Sequence, residues 1–442
     1  MTLTCALAAL LLTTTQAPVP VATVAEPEPT ADAARLRASV EKLVSFGTRH
    51  TLSSATDPKR GIGAARTWGA AEFARIAKAC GGCLTISRVS QTFTGPRAPA
   101  GVVVENVLAI QPGTGDPGDV VIIAGHIDSR VSDVMDFSSD APGANDNSSG
   151  SALVLEAARL MSRTKHRATI VYALLSGEEQ GLWGGQLLVS DAKSRGWTVL
   201  ALLNNDIVGG TRGTNGVIER NHVRVFSEGI RAAEDLPGQR ARRAIGGEDD
   251  GPSRALAKAA EDFARRDVGL IDVKLVRRPD RLRRGGDHLP ALEAGLPAVR
   301  FSVAIEDYDH QHQDVRIEDG RKYGDTIDEM DFPYLARVTD LNIALAQRLA
   351  NAPAAPQGVV IEGAVSSNTT VRWQPVKGAS GYRIAWRPTD VTGWSRSMDV
   401  GADITSYMLK DVVIDDHFFG VAALNAKGEA SIISFGGLAP TP

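Results

Sequence analysis

The chain has 442 residues and a hydrophobic content of 43%, which is enough for a large core and for two or three domains. Its formal net charge of -4 provides no basic field for nucleic acid or for an anionic membrane surface. No stretch of the sequence approaches the roughly 20 apolar residues that span a bilayer. Neither nucleic-acid binding nor a membrane span is therefore expected.

The N-terminus resembles a secretory signal peptide. A short apolar segment, Cys5 to Leu12, is followed by small and Pro-rich residues up to Ala25. The basic residues that usually precede such a segment are missing, and the cleavage site is a loose match. We predict a signal peptide over residues 1–25, a main domain over residues 26–352, and a secreted or periplasmic protein.

Two cysteines lie close together after a helix-like stretch that runs from Ala64 to Ala79. The spacing Cys80-Gly81-Gly82-Cys83 suits a redox dithiol, half of a zinc knuckle or a small disulfide. The second half of a zinc knuckle is missing from the sequence. In an oxidising compartment we expect a local disulfide.

Strand-like and helix-like segments alternate through the main domain. The predicted strands are Leu84–Phe93, Val102–Ile110, Asp119–Ala124, Ala168–Leu175 and Thr198–Leu203. Predicted helices follow Ser148-Ser149 and cover Leu182–Lys193, Pro252–Arg265 and Asp331–Ala350. We expect Val102–Ile110 and Asp119–Ala124 to pair across the turn that separates them. The alternation predicts an α/β sandwich.

The pattern changes after the Pro/Ala-rich stretch Asn351–Pro356, whose composition is typical of a short stiff linker. About seven short strand-like runs without helices predict an all-β sandwich over residues 356–442. The stretches Val371-Arg372-Trp373 and Gly381–Trp386 resemble a fibronectin type III module, with Trp373 as its core tryptophan. This part contains no catalytic constellation, and its partner is unknown.

Acidic and imidazole side chains follow the ends of the predicted strands. His126 and Asp128 come after the apolar run Val120–Ala124 and point the same way, because they lie two residues apart on an extended chain. Further carboxylates lie in a Gly-rich loop and after each of the next two predicted strands. Two histidines come late in the domain. The candidates are His126, Asp128, Asp146, Glu178, Glu179, Asp206 and one of His310 and His312.

Two histidines and three carboxylates are too few ligands for two separate closed metal sites. One shared carboxylate, however, allows two metals about 3.5–4 Å apart, with open positions for water. Asp146, on a loop between Gly143 and Gly150, is the natural bridge. We expect zinc because imidazole and carboxylate ligands suit it, although the same ligands accept cobalt or manganese.

The adjacent carboxylates of Glu178 and Glu179 are expected to have different roles. If both bound metal, no group would remain to take a proton from the attacking water. We therefore assign Glu179 as a ligand and Glu178 as the general base. Asp128 is expected to orient His126.

In this order the motifs resemble the co-catalytic di-zinc exopeptidases, which include bacterial leucyl aminopeptidases, aminopeptidase Y and glutamate carboxypeptidase II. The motifs are Ile123–Asp128, Gly143–Gly150, Gly177-Glu178-Glu179, Asn205-Asp206 and Gly286-Asp287-His288. The resemblance covers about residues 36–350 and implies a three-layer sandwich with a mixed, mostly parallel eight-stranded sheet. It also implies that His126 and Asp206 hold one zinc, that Glu179 and a late histidine hold the other, and that Asp146 bridges them. In this family the peptide bond after the bridging aspartate is often cis.

The late histidine departs from the family pattern. Its spacing to Asp314 favours His310, whereas the run Gln311–Arg316, associated with secreted members that carry a C-terminal extension, favours His312. We choose His312. Asp287 is not expected to be a direct ligand.

Two further features have a structural and a functional interpretation. Tyr308 is a candidate for polarising the substrate carbonyl, with packing as an equal alternative. The basic cluster from Arg277-Arg278 to Arg284 is interpreted as a solvated loop.

The sequence predicts a zinc-dependent exopeptidase that releases N-terminal residues from peptides. One alternative is a glutaminyl cyclase-like enzyme, which has a similar ligand set but works with a single zinc. Another is a catalytically inactive receptor or adhesion protein on the same scaffold, suggested by the C-terminal domain. The choice between aminopeptidase and carboxypeptidase action, the preferred side chain and the oligomeric state stay open.

Overall fold

A computed structural model describes residues 30–266 and 269–438 of the chain. The predicted signal peptide, residues 1–25, lies outside the described residues. Among the helices of the described part, none combines the length and the apolar character needed to cross a bilayer.

In the described chain, eight strands form a mixed central sheet in the order β1-β2-β4-β3-β5-β8-β6-β7. They are β1 (Thr85–Gly95), β2 (Ala98–Gln111), β3 (Asp119–His126), β4 (Thr169–Leu175), β5 (Thr198–Asn205), β6 (His222–Phe226), β7 (Asp272–Val276) and β8 (Ala298–Val303). The pairs β3–β4, β3–β5, β5–β8 and β6–β7 are parallel, and the other three are antiparallel. The predicted mixed, mostly parallel sheet is confirmed.

The predicted pairing of the strands now named β2 and β3 is wrong. β4 lies between them, antiparallel to β2 and parallel to β3. The six-residue turn Gly113–Gly118 separates β2 and β3 in sequence. After β3 the chain passes through the helix Gly150–Met161, and the next strand, β4, then inserts between β2 and β3. β2 and β3 follow each other in sequence but are therefore not neighbours in the sheet.

Helices cover both faces of the sheet. The long helices are α1 (Ala33–Val44), α2 (Ile62–Ala79), α3 (Gly150–Met161), α5 (Trp183–Ser194), α6 (Leu236–Ala244), α7 (Pro252–Arg266) and α9 (Phe332–Asn351), and the short ones are α4 (Glu178–Gly181) and α8 (Leu289–Glu293). Alternate residues of β3 face opposite layers: Val121 belongs to the hydrophobic core that includes α1, α2, α3, α7 and α9, whereas Val120 belongs to the core that includes α5 and α8. The central strands are therefore buried on both sides, as parallel sheets usually are.

The part of the chain after α9 forms two four-stranded sheets. One contains β11 (Val360–Glu362), β12 (Thr369–Arg372), β15 (Ser406–Leu409) and β18 (Gly437–Leu438); the other contains β13 (Gly381–Pro388), β14 (Arg396–Gly401), β16 (His417–Leu424) and β17 (Ser434–Phe435). All pairs are antiparallel except β11–β18. Trp373 and Tyr382 meet in the buried core between the sheets, with ring centroids 5.3 Å apart.

Two smaller features complete the described structure. Cys80 and Cys83 form a disulfide directly after α2, which confirms the expected local bridge. A short hairpin, β9 (Arg316–Glu318) and β10 (Arg321–Tyr323), extends from the segment that carries His312.

A buried ion pair joins the C-terminal sheets to the main domain. Arg387 on β13 donates to the carboxylate of Asp250, which precedes α7, and each side chain is 2% exposed. Lys258 of α7 also lies 2.7 Å from Asp250, and the guanidinium of Arg387 lies 4.4 Å from the ring centroid of Phe418. The junction is therefore made of charged groups that water does not reach.

Replacing Arg387 by methionine should destabilise the protein, because Asp250 loses a charged partner that solvent cannot replace. We expect a loss of about 3 kcal/mol in the free energy of unfolding, measured by urea denaturation. The matched control is Arg383→Met on the same strand, since the exposed pair of Arg383 with Asp399 should contribute less than about 1 kcal/mol. Equal urea midpoints for the two variants would contradict the role assigned to Arg387.

Candidate metal centre

Three parallel strands deliver the candidate ligands to one edge of the sheet. β3 ends at His126, which lies level with Leu175, the last residue of β4. β5 ends at Asn205, directly before Asp206. Because the carboxyl ends of parallel strands share one edge, groups that follow these strands meet there.

The loop that carries Asp146 crosses close above this edge. A β-carbon on Gly125 would lie 2.8 Å from the backbone of Gly150, so the approach of the two segments requires glycine. Asn147 fixes the loop to β5 by donating through Nδ2 to the carbonyl of Asn205 at 2.8 Å. The Asp146–Asn147 peptide bond is cis, as the family resemblance implied.

One ligand cluster forms around His126. Its Nε2 lies 3.3 Å from Asp146 Oδ1 and 3.6 Å from Asp206 Oδ1. All three side chains are buried. In the described part of the chain, the buried Nε2 atom has no hydrogen-bond partner of good geometry.

A second cluster uses the other oxygen of the same aspartate. His312 Nε2 lies 2.9 Å from Asp146 Oδ2 and 3.1 Å from Glu179 Oε1. His310 is elsewhere, 3.0 Å from Asp307 and 3.7 Å from Glu329. The structure therefore brings His312, and not His310, to the predicted ligands.

The two clusters have dimensions that fit zinc. Bond lengths of about 2.0 Å to a tetrahedral zinc put neighbouring ligand atoms roughly 3.3 Å apart. The four distances from His126 and His312 to carboxylate oxygens run from 2.9 to 3.6 Å. Each cluster supplies one imidazole and two carboxylates, the donor set that suits zinc.

The pKa shifts at the site also indicate that bound cations would be favourable. Burial raises the pKa of Glu178 well above its usual value, and the carboxylates of Asp206 and Glu179 raise it further. Burial likewise raises the pKa of Asp206. Burial acts to lower the pKa of His312, but the charges of Glu179 and Asp146 raise it to about 10. These shifts reflect an excess of buried negative charge that a bound cation would relieve.

Asp128 lies behind His126, away from the cavity. Its carboxylate accepts from the hydroxyl of Thr51 at 2.9 Å and from the backbone N–H of Glu179 at 3.2 Å. His126 Nδ1 lies 3.2 Å from the backbone carbonyl of Asp128 and 3.5 Å from its carboxylate. This residue therefore connects the histidine to the Glu179 segment.

The Asp146 loop has two buried charged supports that the sequence analysis missed. Asp325 accepts hydrogen bonds from the backbone N–H groups of Asn145 and Asp146, at 2.8 and 2.6 Å. Arg49, which is fully buried, donates to the carbonyls of Pro142 and Gly143, at 2.6 and 3.0 Å. Burial raises the pKa of Asp325 to about 7.

Other predicted and missed residues have clear positions. Asp287 is buried and accepts from the backbone N–H of Gly185 at 2.8 Å, and no candidate cluster in the described chain includes it. Tyr308 is 58% exposed, so it does not pack in the core. Arg130 and Arg300 were missed: Arg130 lies 2.9 Å from Glu179, and Arg300 lies 3.0 Å from Asp206. Arg300 was detectable as a lone charge within the apolar run of β8.

Above the ligands lies an open cavity of about 440 Å³. Its floor is formed by Asp146, Glu178, Glu179, Asp206 and His312, and its walls by Pro96, Arg97, Arg130, Gly181, Leu182 and the segment Arg281–Gly285. The interpretation of the late basic cluster as a solvated loop holds for Arg277 and Arg278, which are exposed, but it is wrong for the end of the cluster, where Arg281, Arg283 and Arg284 line this cavity. The loop reaches the cavity because it packs against Leu182, which would lie 3.2 Å from a β-carbon on Gly285.

Comparison with known proteins identifies relatives of this chain. The signature of Peptidase family M28 matches residues 106–345. A protein described as a probable zinc metalloprotease, from Leptosphaeria maculans, is 40% identical over 415 residues, which are 92% of this chain and 95% of that protein.

Solved structures with the same fold have different activities. The LapA aminopeptidase of Legionella pneumophila has a TM-score of 0.51 at 19% identity, over 73% of this chain and 72% of that protein. The glutaminyl cyclase of Fimbriiglobus ruber has a TM-score of 0.50 at 19% identity, over 74% of this chain and 99% of that protein. At these identities the likeness shows the fold alone.

Replacing Asp325 by alanine should weaken metal binding without unfolding the protein. The variant leaves two N–H groups of the Asp146 loop without an acceptor, so the carboxylate shared by the two clusters loses its orientation. We expect zinc affinity, measured by competition with a chelator, to fall about 10- to 100-fold. The control is Asp328→Ala, an exposed carboxylate paired with Lys322. Wild-type zinc affinity in the Asp325 variant would refute this role.

Proposed function

The chain belongs to peptidase family M28 and is a zinc metallopeptidase, and from this premise we propose that it is an exopeptidase that releases N-terminal residues from peptides with two zinc ions. His126 and Asp206 hold one ion, Glu179 and His312 hold the other, and Asp146 bridges them. The substrates are peptide ends.

One observation carries the two-metal proposal. The two oxygens of Asp146 face different imidazoles, with Oδ1 toward His126 and Oδ2 toward His312. A single metal would use one of these sets and leave the histidine of the other set among carboxylates without a metal. Two metals give each set a cation, in keeping with co-catalytic sites that share one carboxylate.

Hydrolysis needs a proton to move from the attacking water to the leaving amine. When bound, the zinc ions supply Lewis-acid chemistry, which polarises the scissile carbonyl and lowers the pKa of the attacking water. The Glu178 carboxylate accepts the proton from that water as the new carbon–oxygen bond forms. It then passes the proton to the amine nitrogen as the carbon–nitrogen bond breaks.

The position of Glu178 supports this role. It lines the cavity beside the two clusters, and within the described part of the chain no cation forms an ion pair with its carboxylate. Glu179, in contrast, is held by Arg130 and His312. Asp128 positions His126, because it anchors the imidazole from the side opposite the cavity.

The cavity supports exopeptidase action. A volume of about 440 Å³ is in the lower part of the range for small-molecule sites. It suits one or two residues at the end of a peptide. Pro96-Arg97 and Arg281–Gly285 contribute to its walls.

Two further parts of the proposal concern the rest of the chain. We propose that residues 356–442 form a fibronectin type III-like sandwich, supported by the two facing sheets and the Trp373–Tyr382 core. Their binding partner is not assigned. Export to a secreted or periplasmic location stays a prediction, since it depends on residues 1–25.

The glutaminyl cyclase alternative shares the fold but requires one zinc. The second cluster, around His312, favours hydrolysis with two metals over cyclisation with one. Zinc content per folded chain, measured by elemental analysis, distinguishes the two enzymes. A value near two together with release of amino acids from peptides supports the exopeptidase.

Exchanging each of the adjacent glutamates for glutamine should separate their roles. We expect Glu178→Gln to keep both zinc ions and lose activity by about 10²- to 10⁴-fold, because the proton acceptor is gone. We expect Glu179→Gln to lose zinc as well as activity. Zinc content and peptide turnover are measured on the same samples. A fully active Glu178→Gln protein would refute the assignment of the base.

The two late histidines provide a matched pair for the second site. His312→Ala should reduce the zinc content from about two to about one per chain, because its imidazole is the only nitrogen ligand assigned to that ion. His310→Ala removes the same side chain two residues away, where it contacts Asp307 and Glu329, and should keep both ions. The reverse pattern would move the ligand to His310.

A further inference from the structure

Five arginines surround the cavity above the candidate metal centre. They are Arg97, Arg130, Arg281, Arg283 and Arg284. Arg97 donates to the backbone carbonyl of Glu179 at 2.5 Å, and Arg130 contacts the carboxylate of Glu179 and the ring of His312. These two support the ligands. The other three belong to one loop that forms a separate part of the wall, Arg281–Gly285.

The wall formed by Arg281–Gly285 carries more positive than negative charge. Glu306 is shared by three guanidinium groups: Arg224 at 2.6 Å, Arg284 at 2.8 Å and Arg281 at 3.1 Å. Arg281 also pairs with Asp280, at 2.9 Å, but Asp280 is itself shared with Arg300 at 3.1 Å, so these two carboxylates serve four arginines before Arg283 is counted. The excess positive charge borders the cavity.

The loop is held firmly from below. Arg300, fully buried in β8, donates to the carbonyl of Gly285 at 2.6 Å and pairs with Asp280 at 3.1 Å. Arg281 also donates to the carbonyl of Gly285, at 3.1 Å. The loop therefore presents its remaining arginines from a fixed backbone.

Of the three arginines in this loop, Arg283 has the fewest hydrogen-bond and ion-pair partners among the described residues. Its backbone φ is 55°, in the left-handed region that side-chain-bearing residues rarely adopt. Among the residues that the structure describes, no carboxylate or carbonyl is a partner of its guanidinium. An exposed, unpaired guanidinium beside Arg284, whose partner is shared, is suited to bind an anion.

We propose that Arg283 and Arg284 bind a carboxylate of the substrate, and that the enzyme therefore prefers peptides with an acidic residue at the N-terminus. This inference rests on the proposed exopeptidase function and specifies its substrate class. Guanidinium groups bind carboxylates through paired N–H donors, which gives both affinity and orientation. The floor of the cavity is acidic, so bound zinc would balance it and leave the arginine wall to select the substrate.

A peptide offers carboxylates from two sources. One is the side chain of an N-terminal Glu or Asp; the other is the terminal carboxylate of a dipeptide. The experiment separates them with matched pairs of zinc-loaded assays. Glu- and Gln-initiated peptides with amidated C-termini test the side chain, and Leu-initiated dipeptides with free or amidated C-termini test the terminus.

Four variants complete the design: the double variant Arg283→Ala with Arg284→Ala, the two single variants, and Arg278→Ala as the control. Arg278 is exposed, belongs to the same segment and does not line the cavity. For wild type we expect kcat/KM for the Glu peptide to exceed that for the Gln peptide about 10- to 100-fold. The double variant should bring this ratio close to one, and Arg278→Ala should keep it.

A second readout does not depend on turnover. Free glutamate should protect the wild-type protein against thermal unfolding more than free glutamine does, and the difference should disappear in the double variant. If the terminal carboxylate is the one bound, the free dipeptide is preferred over its amide and the Glu/Gln ratio is near one. That result supports the arginine site but moves the carboxylate to the terminus.

The outcomes separate this inference from the function on which it rests. Equal kcat/KM values within both matched pairs, with release of N-terminal residues intact, would overturn the arginine site and leave the exopeptidase in place. Discrimination that survives in the double variant would also overturn it. If no peptide is cleaved by protein that contains two zinc ions, the proposed function fails. The shifts in unfolding temperature caused by free glutamate and free glutamine still test the anion site in that case.

Discussion

The repulsion among buried carboxylates is the constraint on which the architecture around the site depends. Asp146, Glu179 and Asp206 meet within two ligand clusters, and Glu178 adds a fourth carboxylate to the same cavity. Such a group is unfavourable unless cations balance it. The ligands are positioned by the ends of buried strands, and buried arginines surround them. Arg300, for example, is fully buried in the sheet. The metal ions and the fold are thus expected to stabilise each other.

Much of this arrangement could be predicted because it follows from local sequence. Apolar runs such as Val120–Ala124 identify buried strands, and polar groups at their ends identify one edge of a parallel sheet. The order of the strands could not be read in the same way. The segment between β2 and β3 looks like a hairpin turn, but the pairing depends on where β4 inserts, and that is decided by packing of the whole domain.

At the site, too, local sequence predicted the ligands but not the residues that support them. His126, Asp146, Glu179 and Asp206 belong to recognisable motifs, whereas the charged residues that hold them are scattered. Arg49 and Asp325 both support the Asp146 loop, although they lie near opposite ends of the domain in the sequence. No spacing in the sequence relates them. Side chains of the basic cluster near Arg283 were interpreted as solvated, because the sequence does not show that their loop folds back over a cavity.

The acidic pair Asp249-Asp250 forms ion pairs with two separate regions of the chain. Asp250 receives Arg387 from the C-terminal sheets, while Asp249 binds Arg254 and Arg277. Arg277 lies at the end of the strand that leads into the arginine-bearing loop. Two adjacent carboxylates therefore connect the C-terminal sheets, through Arg387, with the residue that precedes the Arg281–Gly285 wall of the cavity by four positions.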